Sequence, residues 1–436
     1  MFRCIPFHHR HSVGQILLVV SLVLSAASSL RGASRVIEIV KRVLPLPLPL
    51  RSCSYWTGRL WLLRLGYYKL TRAKKQAEDW VWIVDHTIQI GSEKCLLILG
   101  LRLSQLPPVG TSVCHADVEA IDLIPVTKST GDIVWQQLEE TVEKTGIPRE
   151  ILSDHGPDLH AGIRKFCDAH PQTCSIYDIT HKAATVMKHT LESDEDWQRF
   201  TKRAAQSKSQ IQQTAFAYLS APKQQSKARF MNVGKLVKWG WNLLSVVEQA
   251  STEGTLAGEE QQQELERKLG WVREFREPLE QWHEFIQLID MTESVVREEG
   301  LHHEIGRVLA DRLKDAASAT RTQAIRAELV DFVHEESLKA RPQERLLGSS
   351  EVIESVFGKL KRLEQDQANS GFTGLVLSVA AMVSVTTAEI IYQAMESVST
   401  KTMLDWCREK FGKSVQAKRK EAFTCAQKSG TKMGST

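Results

Sequence analysis

Three acidic residues that lie far apart in the sequence, Asp85, Asp154 and Glu354, have the residue types and settings expected of metal-binding catalytic groups. Asp85 follows the apolar run from Trp80 to Val84, where an ionised carboxylate loses solvation unless a cation compensates. Carboxylates without a Cys or His cluster favour Mg²⁺ over zinc. Two such ions about 3.5 to 4 Å apart can activate the attacking oxygen and stabilise the leaving oxygen of a phosphodiester. A strand-end Asp85 that faces solvent or pairs with His86 is the alternative.

Asp154 lies in the segment ILSDHGPDL, directly before Gly156. The segment predicts a strand that ends at the Asp, and open α/β sheets collect ligands at the carboxyl ends of their strands. An Asp that only forms the turn is the alternative interpretation. Asp158 is the nearest competitor, although a charge at a helix N-terminus explains it equally well.

Glu354 lies in SSEVIESVFGKLKRLE, a segment with helical periodicity in which Ser349 or Ser350 can cap the N-terminus. Helical spacing puts Lys361 two turns after Glu354, so the same face offers a metal-binding carboxylate and a cation for a substrate phosphate. Glu351 remains an alternative ligand.

The elements around these residues alternate in a recognisable order. WVWIVDHTIQI and KCLLILGLRL predict two strands joined by a polar turn at Gly91 to Glu93. A strand at 118–126, a helix at 131–145, a strand at 150–154, a helix at 157–169 and a strand at 175–179 follow. The order β-β-β-α-β-α-β is that of the ribonuclease H-like fold, a mixed sheet of the α/β class. Its first and fourth strands are neighbours, which would bring Asp85 and Asp154 together.

Strand signals end near residue 184. Apolar residues between Leu265 and Ile289 then recur at spacings of three and four, which predicts one long amphipathic helix within an all-α insertion. The sequence therefore predicts five parts: a basic helical domain (1–78), a first sheet segment (79–185), the insertion (186–346), a last acidic helix with the helix after it (347–400), and a basic tail (401–436).

The N-terminal part is strongly basic. Residues 1–78 carry thirteen Lys or Arg and two acidic residues, whereas the whole chain has a net charge of only +4. Such a block gains by releasing counterions from nucleic-acid phosphates. Three helical stretches separated by a Pro-Leu repeat (45–50) resemble a helix-turn-helix. In that arrangement Arg51, Arg59 and Arg64 would face DNA, while Trp56 and Trp61 would pack in the core. The tail from residue 401 carries nine further basic residues, which a solvated surface also explains.

Eight scattered cysteines without a C-x-x-C pair predict reduced thiols rather than a zinc site.

Two apolar runs are candidates for membrane segments. Gln15 to Ala27 has the outline of a signal peptide, but a basic amphipathic stretch follows at once, which favours a pair of helices. Gly371 to Tyr392 contains several Ser or Thr and Glu389, which favours a buried helix. No membrane contact is predicted.

The segments WVWIVDHTIQIG, ILSDHGPDL, YDITHKAA and EVIESVFGKLK together resemble the DDE transposases of bacterial insertion sequences, over about Trp80 to Glu364. The resemblance implies a ribonuclease H-like catalytic domain that an insertion interrupts before its last acidic helix. It implies that Asp85, Asp154 and Glu354 hold two Mg²⁺ or Mn²⁺ ions for cleavage at transposon ends and strand transfer.

Two positions depart from the pattern of some family members. Those members have a basic residue seven positions after the Glu, which Lys361 matches. They also have an Arg four positions before the Glu and a Tyr three residues earlier, where this chain has Ser350 and Leu347. The phosphate contact of that Arg is therefore not expected here.

The resemblance also implies partners. These are double-stranded DNA of the transposon ends and target, a second copy of the chain in a homodimer on DNA, and a bacterial, nucleoid-associated cytoplasmic setting. His181 is a candidate phosphate contact, with a structural histidine as the alternative. Some relatives stack an insertion-domain tryptophan on a flipped base. Trp239, Trp241, Trp271 and Trp282 are candidates by position, although core packing is favoured for each.

Three other functions remain open from the sequence. A DNA-binding protein with a decayed active site would keep the basic domain without cleavage. A ribonuclease H-like nuclease would cut without joining ends to a target. An exported or membrane-anchored protein would lose residues near Ala27.

Overall fold

A computed structural model describes residues 1–44, 50–90, 93–224, 233–253, 259–365, 374–412 and 423–424. The predicted Pro-Leu repeat at 45–49, the turn residues 91–92 and most of the predicted basic tail lie outside these ranges. The chain divides into two compact units. The sheet unit comprises Met1–Pro108, Ser112–Ile176 and Ser350–Thr436, and the helical unit comprises Val109–Thr111 and Tyr177–Ser349.

The strands of the described residues are β1 Trp80–Ile90, β2 Glu93–Arg102, β3 Glu119–Val126, β4 Glu150–Ser153 and β5 Cys174–Tyr177. The helices are α1 Val13–Leu24, α2 Leu30–Val43, α3 Tyr55–Thr71, α4 Gly131–Thr145, α5 Pro157–Ala169, α6 Ile179–Leu191, α7 Glu195–Ile211, α8 Val233–Glu253, α9 Glu259–Leu269, α10 Arg276–Glu299, α11 Ile305–Arg312, α12 Thr320–Ser337, α13 Glu351–Gln365, α14 Ser378–Met382, α15 Ala388–Ser397 and α16 Thr400–Phe411.

The five strands form one mixed sheet in the order β3-β2-β1-β4-β5. β1 pairs antiparallel with β2 and parallel with β4, and β2 pairs antiparallel with β3. The expected α/β class and the adjacency of the first and fourth strands are thus confirmed. β1 is apolar through five consecutive residues because it is the central strand and is buried on both faces.

The hydrophobic core of the sheet unit lies between the sheet and two helices. Trp80, Trp82 and Val84 of β1 pack in one cluster with residues of α4 and α5. Since successive side chains of a strand point to opposite faces, Asp85 points away from this cluster. The helix α13 also contacts β1.

The N-terminal helices lie at their predicted positions but belong to the same compact unit as the sheet. α3 packs against α14, α15, α16 and β3, which come from distant parts of the chain. The Lys69 ammonium donates to the carbonyl oxygens of Val383 at 2.6 Å and Ser384 at 3.0 Å. α3 is therefore an internal helix of the sheet unit, and a DNA-binding role for residues 1–78 stays a prediction.

The apolar run at the start of the chain forms α1, whose residues Val13, Ile16 and Val19 are buried. In the described ranges no helix has both the length and the apolar character that a membrane span requires. The second apolar run forms two separate helices rather than one, α14 and α15. The chain turns between them at Ser384, whose φ is 53°.

The helical unit contains α6 to α12, and its strand content within the described residues is one isolated bridge between Leu301 and Leu346. The prediction of a single long helix around residues 265–289 is wrong. A 3-10 turn at Gly270–Phe275 separates α9 from α10. Gly270 weakens a continuous helix, and Pro278 fits only the first turn of the next one.

Candidate metal site at the carboxyl end of the sheet

The parallel register of β1 and β4 brings two of the predicted acidic residues to one place. Val84 lies opposite Ser153 in the ladder, so Asp85 and Asp154 are the next residues on adjoining strands. Neighbouring strands lie about 4.8 Å apart. Both side chains are half-buried at the carboxyl end of the parallel pair.

Local hydrogen bonds fix part of each carboxylate. One Asp85 oxygen accepts the His86 backbone N–H at 2.6 Å. One Asp154 oxygen accepts the Gly156 N–H at 2.9 Å, so this residue also forms the turn that the alternative interpretation describes. His155, which lies between Asp154 and Gly156, has a φ of 55°. This left-handed conformation costs a residue with a side chain about 1 kcal/mol or more. The chain is therefore bent sharply directly after Asp154.

Glu354 lies in the first turn of α13, the helix that contacts β1. Val352, Ile353 and Val356 are buried and anchor the helix. Glu354 is half-buried whereas Glu351 is exposed, which makes Glu354 the better of the two candidate ligands. Lys361 lies two turns further along the helix and is exposed.

The donor chemistry fits a hard divalent cation, since carboxylate oxygens are the protein ligands that Mg²⁺ prefers. The assembled geometry is less complete. Among the described residues, no group of three or more His, Cys, Asp or Glu side chains is arranged to hold a metal ion. The structure brings the two aspartates together but does not gather Glu354 with them into a three-ligand cluster.

A polar cluster that the sequence interpretation missed lies on the α5 side of the same sheet edge. The His86 ring nitrogens lie 3.3 Å from the Ser129 hydroxyl and 3.8 Å from an Asp158 oxygen, and the Lys94 ammonium lies 3.6 Å from that oxygen. We name His86, Lys94, Ser129 and Asp158 the His86 cluster. The available signals were the His directly after Asp85 and the Asp four residues after Asp154.

Burial lowers the pKa of His86, and the opposing negative charges of Asp158 and Asp154 do not cancel that effect. Burial raises the pKa of Asp158, but the Ser129 hydroxyl, His86 and Lys94 together hold it below its usual value. Ser, His and Asp also form hydrolase triads. Here the 3.8 Å separation of His86 and Asp158 exceeds a hydrogen bond, so the Asp does not orient the ring as a triad requires.

The chain is similar to a chain of a solved structure described as "Drosophila P element transposase strand transfer complex". The TM-score is 0.42 at 12% sequence identity, over 88% of this chain and 94% of that chain. No protein-family model matches the sequence, and no curated protein matches it.

The arginines predicted to face DNA have different environments. Arg51 is exposed. Arg59 is half-buried, with its guanidinium carbon 5.1 Å from the centre of the Trp56 ring. Arg64 is buried and donates to His9 Nε2 at 2.8 Å and to the Met395 carbonyl at 2.5 Å, so it does not face solvent.

The two predicted core tryptophans also differ. Trp61 is buried as expected, but Trp56 is 50% exposed, so its predicted core position is wrong. Trp56 lies in the first turn of α3, where the helix has not yet entered the packed part of the sheet unit.

The remaining candidates lie in the helical unit. His181 Nδ1 lies 2.8 Å from an oxygen of Asp178, whose side chain is fully buried and caps α6. This contact is what a structural histidine makes. Three of the four predicted tryptophans, Trp239, Trp271 and Trp282, pack in an aromatic core as expected. The other members of this core are Trp197, Phe200 and Phe275. The fourth, Trp241, stacks on His283 with ring centres 5.0 Å apart.

Proposed function

We propose that this chain is a DNA transposase of the DDE class with a ribonuclease H-like core, resembling those of bacterial insertion sequences. It cuts at transposon ends and transfers the strands into target DNA. Asp85, Asp154 and Glu354 are its catalytic carboxylates. The observation that carries the proposal is the parallel register that sets Asp85 and Asp154 side by side at the carboxyl end of neighbouring strands.

The three carboxylates would hold two Mg²⁺ or Mn²⁺ ions. Bound there, such ions polarise the phosphodiester and favour a deprotonated attacking oxygen. Completing the ligand set requires Glu354 of α13 to approach the two aspartates when DNA and metal bind, since the described residues do not gather three such ligands. Lys361, exposed two turns after Glu354, would contact a substrate phosphate. His181 remains a further proposed phosphate contact.

The proposed partners follow from the same function. The duplex DNA of transposon ends and target is the substrate, and two ends cut together require a homodimer. Basic side chains of the N-terminal segment supply sequence-independent affinity for phosphates. Arg64 is left out of this contact set because it is buried.

The test is cleavage of a plasmid that carries the DNA flanking the coding sequence on both sides. With Mg²⁺ or Mn²⁺, we expect the parent protein to cut and to join the released ends to a second plasmid. Asp85→Asn, Asp154→Asn and Glu354→Gln should each lower the cleavage rate more than about 100-fold, since even the partners of metal ligands cost about 10- to 100-fold.

Glu351→Gln is the matched control, because it changes an exposed carboxylate one turn from Glu354. It should cut like the parent. Equal cutting by Asp154→Asn and the parent would contradict the proposal. Cleavage without joining would indicate a ribonuclease H-like nuclease, and DNA binding without metal-dependent cleavage would indicate a decayed DNA-binding protein.

A further inference from the structure

Two aromatic rings are exposed beside arginines at the first turns of α2 and α3. Tyr55 is 41% exposed and Trp56 is 50% exposed. The Arg31 guanidinium carbon lies 5.0 Å from the Tyr55 ring centre, and that of Arg59 lies 5.1 Å from the Trp56 ring centre. We name Arg31, Arg51, Tyr55, Trp56 and Arg59 the arginine–aromatic surface.

Buried contacts hold this surface in place. The Gln15 side chain is fully buried, and its amide accepts from the Arg51 N–H at 3.0 Å and donates to the Arg51 carbonyl at 2.5 Å. The Ser54 hydroxyl oxygen accepts from the Thr57 N–H at 3.1 Å and caps α3. The buried Gln15 side chain thus fixes the position before α3, and the Ser54 cap fixes the helix start, so the rings are presented by ordered backbone.

The rest of α3 is unavailable to DNA. Trp61, Leu65 and Leu70 are buried, and Lys69 is bonded to carbonyl oxygens of the segment after α14. A recognition helix needs a solvent-facing side along several turns to enter a major groove. Only the first turn of α3 offers exposed side chains of this kind, which argues against groove reading by α3.

The chemistry of the surface fits unpaired nucleotides better than a duplex. Aromatic side chains can stack on the bases of a single strand, whereas the bases of a duplex are already stacked on one another. Every base has a face for such stacking, so the contact does not depend on sequence. Guanidinium groups add phosphate contacts and cation–π attraction. Residues 1–78 carry thirteen Lys or Arg against two acidic residues, so the charge of the segment that contains the surface complements a polyanion.

We propose that the arginine–aromatic surface binds a single-stranded nucleic-acid segment. Tyr55 and Trp56 stack on its bases, and Arg31 and Arg51 contact its phosphates. Neither metal ions nor the three carboxylates take part, so the binding is independent of the proposed cleavage and a failure of one leaves the other standing.

The test is fluorescence anisotropy of the full chain with a labelled 20-nucleotide oligo-dT strand and with a 20-base-pair duplex, both in EDTA. Trp56→Ala and Tyr55→Ala should each weaken binding of the single strand by about 5- to 100-fold, the range of one stacked base, with little change for the duplex. Trp56→Phe should restore most of the affinity. Arg51→Gln should lessen the salt dependence of single-strand binding, with a slope smaller by about 0.7.

Tyr218→Ala is the matched control, because Tyr218 is 74% exposed in the helical unit, outside the surface. It should bind both nucleic acids like the parent. Thermal unfolding of each variant separates loss of folding from loss of contact. Unchanged single-strand affinity in a folded Trp56→Ala variant would overturn the proposal. Equal weakening for strand and duplex would also overturn it, as would self-association of the chain through Trp56 without binding of the oligonucleotide.

Discussion

Arg64 shows how the environment of a single residue decides its role. Its guanidinium is buried and donates to His9 Nε2 and to the Met395 carbonyl, so it makes structural contacts rather than a DNA contact. An arginine cannot give up its proton, so His9 Nε2 must accept this hydrogen bond and the ring must be neutral. Burial, with Arg64 next in effect, lowers the pKa of His9 to about 4.

This pair predicts acid sensitivity. The unfolded His9 has a pKa near 6.5, above its folded value of about 4, so unfolding takes up a proton in that window. The stability contributed by neutral His9 is complete above pH 6.5 and is lost as the pH falls towards 4. Urea unfolding at pH 7 and at pH 5 should show a smaller difference for His9→Gln than for the parent.

His303→Gln is the control, since His303 is exposed. It should keep the pH dependence of the parent. An equal pH dependence in the parent and His9→Gln would show that the His9–Arg64 contact does not hold the ring neutral.

At the scale of elements, α3 packs closely against a 3-10 turn through a glycine. Gly66 faces the 3-10 turn Gly374–Leu377, and a Cβ at Gly66 would lie within 2.3 Å of the Leu377 carbonyl oxygen. A carbonyl oxygen of the backbone cannot rotate away as a side chain does. The close approach of α3 to this turn therefore requires glycine.

Gly66→Ala should lower the free energy of unfolding by about 1 to 3 kcal/mol, the usual cost of overpacking. Gly358→Ala is the matched control, because a Cβ on Gly358 in α13 meets no atom within 4 Å. It should raise stability by about 0.5 to 1 kcal/mol through helix propensity. Chemical denaturation measures both. A Gly66→Ala protein as stable as the parent would show that α3 does not approach this turn so closely.

Local signals explain which elements were predictable from sequence. α4 and α5 begin and end where expected, because Thr130 caps α4, Gly146 ends it with a φ of 83°, and Pro157 starts α5. The break between α9 and α10 was missed because Leu269, Val272 and Phe275 keep the helical spacing through the turn and are all buried. The burial of Arg64 depends on Met395 of α15, more than 300 residues later, which no local pattern reveals.

At the scale of the whole molecule, the sheet unit is discontinuous. β1 pairs with β4 about 70 residues later, and α13, which contacts β1, follows only after the helical unit. The adjacency of Asp85 and Asp154 was predictable because strand order determines it. The position of Glu354 was not, because it depends on how α13 docks on β1 after a long insertion.

The most direct test of the central claim is a titration of the full chain with Mn²⁺, in which electron paramagnetic resonance counts the free ion. We expect the parent and Glu351→Gln to bind the same number of ions. Asp85→Asn and Asp154→Asn should each lose binding, because these two carboxylates already adjoin in the protein without DNA. Parent-like Mn²⁺ binding by both aspartate variants would contradict the account.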